Sequence, residues 1–265
     1  MFRWLTVFFA GLFLLALGFF LFAHHIVAFL PFSVEKQFVK PYEEMAHRWL
    51  GDHKGDPAVE AYLEELAGDL AEAMEVPEGI ELSVHYLDNG EKNAFATLGG
   101  HVFVLRGLVE SMPDENSLAM VLAHEISHVK NRDPVTAMGR GVVLQMAISY
   151  FSGGSTHGEN LSSLGGQLGL LRYSRKQEER ADLEALEALH RHYGHAGGYR
   201  NFFERILEQH GDAEDTPDWL QTHPDLAKRL DAMADVVEAQ GYPVGTAEPL
   251  PEKIRQRMGE RGIGL

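Results

Sequence analysis

The sequence predicts an α+β fold: a mainly helical domain with a small, mostly antiparallel sheet, preceded by one N-terminal transmembrane helix. Three observations predict it. "LTVFFAGLFLLALGFFLFA", Leu5 to Ala23, carries no charge over 19 residues. Beyond residue 56, apolar residues recur at helical spacing through most of the chain. Between residues 80 and 105 the period changes to two, the mark of strands.

The elements follow in order. A helix over Leu5–Ala23 rises ~28 Å, about the hydrocarbon thickness of a bilayer. Phe19, Phe20, Leu21 and Phe22 precede Ala23, so no small-x-small cleavage site follows, and the run reads as an uncleaved anchor. His24 and His25 mark its interfacial end. Residues 1–32 form the anchor and 33–265 one domain. A linker leads into a helix that stops near Gly51. Asp56 and Pro57 start the next helix as cap and first position, with Val59, Tyr62, Leu63, Leu66, Leu70 and Met74 on its packing face. "IELSVHYL" is a strand, and "DNG" at Asp88–Gly90 is a hairpin signal. "NAFATLGGHVFVLRG" reads as strand, Gly-Gly break and strand; the glycines fit a tight turn, a bulge or a close backbone approach. "SMPDEN" opens a helix that runs to Asp133. "VVLQMAISYF", Val142–Phe151, is too short to span a bilayer and reads as part of a core helix over Val135–Phe151. A Gly/Ser-rich loop follows. Ser174 and Gln177 fit a capping box at the start of a helix that ends near Gly194. Two more helices are expected near 198–209 and 223–239, the last capped by Thr222 with Pro224 in its first turn.

Composition narrows the class. The net charge is −16 and no basic stripe occurs, which excludes a nucleic-acid surface. There is no cysteine, so a zinc site must use His, Asp and Glu. Arg3 precedes the apolar run, and Lys36 and Lys40 follow it, so positive charge gives little orientation. An extracytoplasmic, periplasmic-side domain on a single-pass anchor is the expectation. Oligomeric state is not legible.

The chemistry lies in "SLAMVLAHEISHVKNRD", Ser117–Asp133. On a helix, Leu118, Leu122, Ile126 and Val129 share one side and small or apolar residues cover much of the rest, so the helix is buried. His124 and His128 are one turn apart and point the same way, fit to grip one Zn²⁺ ion per chain. Glu125, offset by about 100°, is placed to take a proton from zinc-activated water as general base. The rival reading is a core helix whose histidines hydrogen-bond internally. Burying two histidines with nothing to bind is costly, and a third ligand is at hand. In "YSRKQEERAD", Tyr173–Asp182, Glu178 and Asp182 share a helical face. Glu178 supplies the third ligand and Asp182 orients a ligand histidine. Glu179 points elsewhere, as a solvated carboxylate.

"HEISHVKNRD", "SRKQEERAD", the earlier "NAFATLGGHVFV" and the later "THP" occur together and in order. In this the chain resembles metallopeptidase family forty-eight, the family of HtpX, the CAAX prenyl proteases and the Oma-type membrane quality-control peptidases. The resemblance covers roughly residues 35–240. It implies a gluzincin-type zinc peptidase domain, with His124, His128 and Glu178 as ligands and Glu125 as base. It further implies that Gly100, His101, Val102 and Phe103 belong to an edge strand that pairs with substrate peptide. The single apolar run, against several in HtpX and the prenyl proteases, favours an anchored domain acting on unfolded or membrane-proximal proteins. His223, in "THP", is a candidate to hydrogen-bond the oxyanion or approach the metal; its alternative is local packing. His190, His192 and His195 match no common metal spacing. The functional expectation is a membrane-anchored zinc endopeptidase of protein quality control. The alternative is a zinc-stabilised, membrane-tethered adaptor or holdase with little turnover.

Overall fold

Asp56 caps the first helix of the domain by accepting from Ala58 N at 2.8 Å, and Pro57 takes its first position. This helix, α1 (Pro57–Ala73), buries Val59, Leu63, Leu66, Ala67 and Leu70, the face expected from their spacing. The computed structural model describes residues 54–137, 173–210 and 222–261, with Gly11, Gly18, Phe32, Ser33, Glu35 and Trp219. Of the expected span, Gly11 and Gly18 are described, both helical; the rest lies outside the described residues. Among the described residues no helix is long and apolar enough to cross a membrane. The expected helix before Gly51 and the Gly/Ser-rich loop also lie outside them. The helix expected from Val135 is described as helical over 133–137.

The sheet is small and mixed, not mostly antiparallel. Its strands are β1 (Ser83–Leu87), β2 (Ala94–Ala96) and β3 (His101–Leu105), in the order β1-β3-β2. β3 pairs in parallel with β1 and antiparallel with β2. The Asp88–Gly90 turn therefore does not close a hairpin between neighbours. Residues 88–93 carry the chain past β3 and are tied to the residues just beyond its end: Gly107 N donates to Asn89 O, and Arg106 Nε to Asp88 Oδ1. A helix that the sequence pattern did not announce, α2 (Arg106–Ser111), starts there.

Alternation along β3 divides its side chains. Val102 and Val104 enter the main core, while Phe103 and Leu105 join Leu87 and Phe95 in a second cluster. The Gly-Gly break is both a turn and a close approach. Gly99 and Gly100 adopt left-handed φ of 76° and 84° in a 3₁₀ turn, Leu98–Gly100. A methyl group on Gly100 would run into the Glu81 carbonyl oxygen.

Helix α3 (Glu115–Lys130) is capped by Asp114, which accepts from Ser117 N at 2.7 Å. Every residue from Asn116 to Val129 is buried. It packs against α1, β2 and, most extensively, α4 (Arg175–Tyr193). Ser174 and Gln177 form the expected capping box, and Gly194, at φ 76°, ends α4. Helix α5 (Asn201–His210) buries Phe202, Phe203 and Ile206. Helix α6 (Leu226–Gln240) starts later than expected, after Asp225 at φ 63°. Thr222 does not cap it; its hydroxyl donates backwards to Trp219 O at 3.0 Å. A further helix, α7 (Glu252–Arg261), comes last. Its inward side is Ile254 and Met258 alone, too little periodicity to announce it.

Candidate metal centre

Helix α3 aims His124 and His128 to one side, and the first turns of α4 bring Glu178 and Asp182 to meet them. His223 arrives from the turn before α6. One ligand atom from each of His124, His128, Glu178 and His223 lies within 4.8 Å of all the others. His124 Nε2 is 3.1 Å from His128 Nε2 and 3.2 Å from His223 Nδ1. Glu178 Oε2 is 3.5 Å from His124 Nε2 and 3.1 Å from His223 Nδ1, and Oε1 is 3.7 Å from His128 Nε2. Bonds of about 2.0–2.1 Å to a tetrahedral zinc ion separate neighbouring ligand atoms by about 3.3 Å.

The protons decide whether a cation fits. His128 Nδ1 lies 2.8 Å from Asp133 Oδ2, and His124 Nδ1 lies 3.0 Å from Asp182 Oδ1. Carboxylates accept, so His128 Nδ1 carries the hydrogen and its Nε2 offers a lone pair, and the nearby Asp182 carboxylate favours the same arrangement at His124. Two such lone pairs and a carboxylate facing one another repel unless positive charge sits among them. Burial alone pulls His124 down, yet Asp182 and Glu178 outweigh it and raise its pKa to about 9. Burial lowers His128, and it lowers His223 to about 3. Burial alone would raise Glu178, but the imidazoles of His223 and His124 outweigh it and keep the carboxyl well below its usual range. The donor set of three imidazoles and an ionised carboxylate fits a cation, which would take the place of the proton that His124 otherwise holds.

Glu125 stands beside this cluster, fully buried. Its Oε2 accepts from Ala96 N at 2.8 Å, and its Oε1 lies 3.3 Å from His223 Nε2. Burial pushes its pKa up to about 8. Arg229, on α6, donates to both oxygens of Asp182 at 2.7 and 2.6 Å and pairs with Glu178 Oε2 at 2.6 Å. Arg180 and Gln177 hold Asp133 from α4, each at 2.7 Å. Trp219 stacks on His223, with ring centroids 4.5 Å apart, and Tyr173 stacks on His128 at 3.9 Å.

The model of peptidase family M48 matches residues 57–237. The chain belongs to peptidase family M48. A beta-barrel assembly-enhancing protease of Yersinia pestis is 28% identical over 210 residues, 73% of this chain and 42% of that protein. The mitochondrial metalloendopeptidase OMA1 of Schizosaccharomyces pombe is 29% identical over 161 residues, 57% of this chain and 45% of its own. A Protease HtpX homolog of Chlorobium phaeobacteroides is 34% identical over 131 residues, 38% of this chain and 43% of that one. The chain thus spans less than half the length of these relatives. The resemblance to this family read from the sequence stands.

Of the site residues expected from sequence, the structure brings His124, His128, Glu178 and His223 together, with Glu125 adjacent and Asp182 behind His124. Glu179 is exposed. Gly100, His101, Val102 and Phe103 require correction. β3 is the middle strand, and the His101 carbonyl already accepts from Thr97 N, so this segment presents no free edge. The strand nearest Glu125 is β2, through Ala96. His190 stacks on Tyr242, and His195 Nδ1 accepts from Gly197 N. Sequence reasoning missed Asp133, Arg229, Tyr173 and Trp219. Asp133 was findable, as an acid just past the end of the histidine helix. Nothing local marks Arg229.

Proposed function

We propose that the chain is a membrane-anchored, zinc-dependent endopeptidase that cleaves unfolded or membrane-proximal proteins in protein quality control. The observation that carries this reading is the convergence of bare imidazole and carboxylate lone pairs beside a buried carboxylate, Glu125, whose second oxygen faces His223. In this reading His124, His128 and Glu178 hold one ion. When bound, zinc supplies Lewis-acid chemistry, polarising a carbonyl and acidifying water. Glu125 accepts the water's proton on Oε1 and delivers it to the leaving amine, while the Ala96 amide fixes Oε2. Its raised proton affinity suits both transfers.

Of the two roles open to His223, the geometry supports approach to the metal, since Nδ1 stands among the ligand atoms. An ion held by all four residues would leave no position for water, so His223 would have to move aside for the centre to act on a substrate. β2, whose one strand neighbour among the described residues is β3, is the edge on which an extended substrate adds. The names of the relatives, proteases and a metalloendopeptidase, support protein substrates, and one of them names a role in enhancing assembly. The apolar run in residues 1–32 supports a single-pass anchor; the extracytoplasmic, periplasmic side is the face proposed for the domain.

The closed four-ligand set favours one second reading, a zinc-stabilised adaptor or holdase, because filled tetrahedra are the structural kind of zinc site. Casein cleavage by the full chain and its zinc content separate the two. Glu125→Gln is expected to keep its zinc and lose roughly 10²–10⁴-fold in kcat; undiminished cleavage overturns the base assignment. His223→Ala is expected to raise basal cleavage. A zinc-loaded wild type and His223→Ala variant that both leave casein intact establish the adaptor instead.

A further inference from the structure

Where the expected anchor ends, Phe32 and Glu35 pack against two turns that border the metal centre. Phe32 and Glu35 are helical and buried, at 8% and 6% exposure. Glu35 Oε1 accepts from Gly99 N at 2.7 Å, and its Oε2 pairs with Arg132 Nη2 at 2.6 Å. The Arg132 guanidinium lies 5.6 Å from the centroid of the Phe32 ring. That ring also fills the space a side chain on Gly100 would need, at 3.1 Å. One carboxylate thus bridges two turns. The first, Leu98–Gly100, comes after β2, whose Ala96 amide holds Glu125. The second comes after α3 and leads directly to Asp133, which holds His128.

The backbone at Arg132 points to the same bridge. It sits just past the α3 C-cap at φ 59°, where glycine is the favoured residue. An arginine there costs backbone energy, which its pair with Glu35 and its approach to the Phe32 ring help to offset.

We propose that Glu35, acting through Arg132 and the Gly99 amide, is a positioning residue for the metal centre: it fixes the turn that sets Asp133 behind His128 and the turn that sets β2 against Glu125. The inference rests on the zinc reading above and deepens it, because it makes the segment following the anchor part of the catalytic frame. Through these two turns Glu35 registers the ligand histidine and the base against each other from a point remote from both.

The test uses the full chain in five forms: wild type, Glu35→Gln, Arg132→Gly, Arg132→Lys and, as the ligand control, His124→Ala. Glu35→Gln keeps an oxygen for the Gly99 amide and removes the charge. Arg132→Gly relieves the left-handed backbone and deletes the guanidinium, so its fold is not at risk from the turn itself. Arg132→Lys retains a cation for Glu35. Three quantities are measured: zinc affinity by competition with a chromophoric chelator, the visible spectrum of the cobalt-substituted protein, and kcat and KM on casein. Glu35→Gln and Arg132→Gly are expected to weaken zinc binding roughly tenfold, the low end for residues that orient ligands. They also alter the cobalt bands and lower kcat with KM unchanged, while Arg132→Lys stays near wild type. Wild-type zinc affinity and kcat in Glu35→Gln overturn the clamp. So do losses that merely follow the melting temperature of the metal-free proteins. A wild-type chain that takes up no zinc, or binds it equally after His124→Ala, brings down the zinc reading itself and the clamp with it.

Discussion

Asp133 shows how much of the centre is decided one residue behind the ligands. Its carboxylate fixes the Nδ1 hydrogen of His128 and is itself held by Arg180 and Gln177. Asp133→Ala is expected to weaken zinc binding by roughly 10–100-fold, measured by chelator competition. Arg229 is a larger liability. It is buried and pairs with both Asp182 and Glu178. Arg229→Met leaves two carboxylates without their cation and is expected to cost about 3–5 kcal/mol in urea unfolding, since removing one partner strands the others. An unfolding midpoint equal to wild type would show that the metal alone compensates these carboxylates. The candidate ligands His124, His128 and Glu178, with Asp182 behind them, were legible because one helical turn separates His124 from His128 and Glu178 from Asp182, and that spacing acts locally. Arg229 was not, because its partners lie 47 and 51 positions away in the chain and only tertiary packing unites them.

Among the elements, the helices were read with more success than the sheet, for a physical reason. Helical periodicity and caps are properties of one segment, as Asp56 with Pro57 and Ser174 with Gln177 show. Strand pairing is a property of two. Asp88–Gly90 carries the right residues for a hairpin, yet the partner of β1 is β3. β3, buried on both faces, is a continuous apolar run that names neither neighbour nor direction. The helices are also tied by a contact that titrates. Glu115 on α3 accepts from Tyr62 of α1 at 2.9 Å and from Tyr193 of α4 at 3.0 Å. Burial and Glu115 raise both phenols. The folded state therefore keeps protons that the unfolded chain releases above about pH 10. Stability from this pair is fully present below that pH and is lost as pH rises above it. Melting temperatures between pH 8 and 11 are expected to fall, and to fall less steeply in Tyr62→Phe with Tyr193→Phe; parallel curves would place the alkaline loss elsewhere.

At the scale of the molecule, the metal is the one element that would join α3, α4 and the turn before α6 at a single point. Each supplies a ligand atom to the cluster, and those atoms repel without a cation among them. Binding to the folded chain alone stabilises it by mass action, about 4 kcal/mol at a thousandfold excess over Kd. For a domain of this size that corresponds to roughly 8–16 °C in melting temperature. Chelation is therefore expected to lower the melting temperature by that amount and abolish cleavage, with both restored by zinc. Glu125→Gln separates the two effects. It leaves the ligand set intact, so its melting temperature should respond to chelator and zinc as wild type does while casein stays uncut throughout. His124→Ala should lose both responses. A melting temperature indifferent to chelation in the wild type would mean that the three elements are held by packing and by the Arg229 pairs alone. The cluster of imidazoles would then be a feature of the core, and the assignment of this centre to catalysis would fall with it.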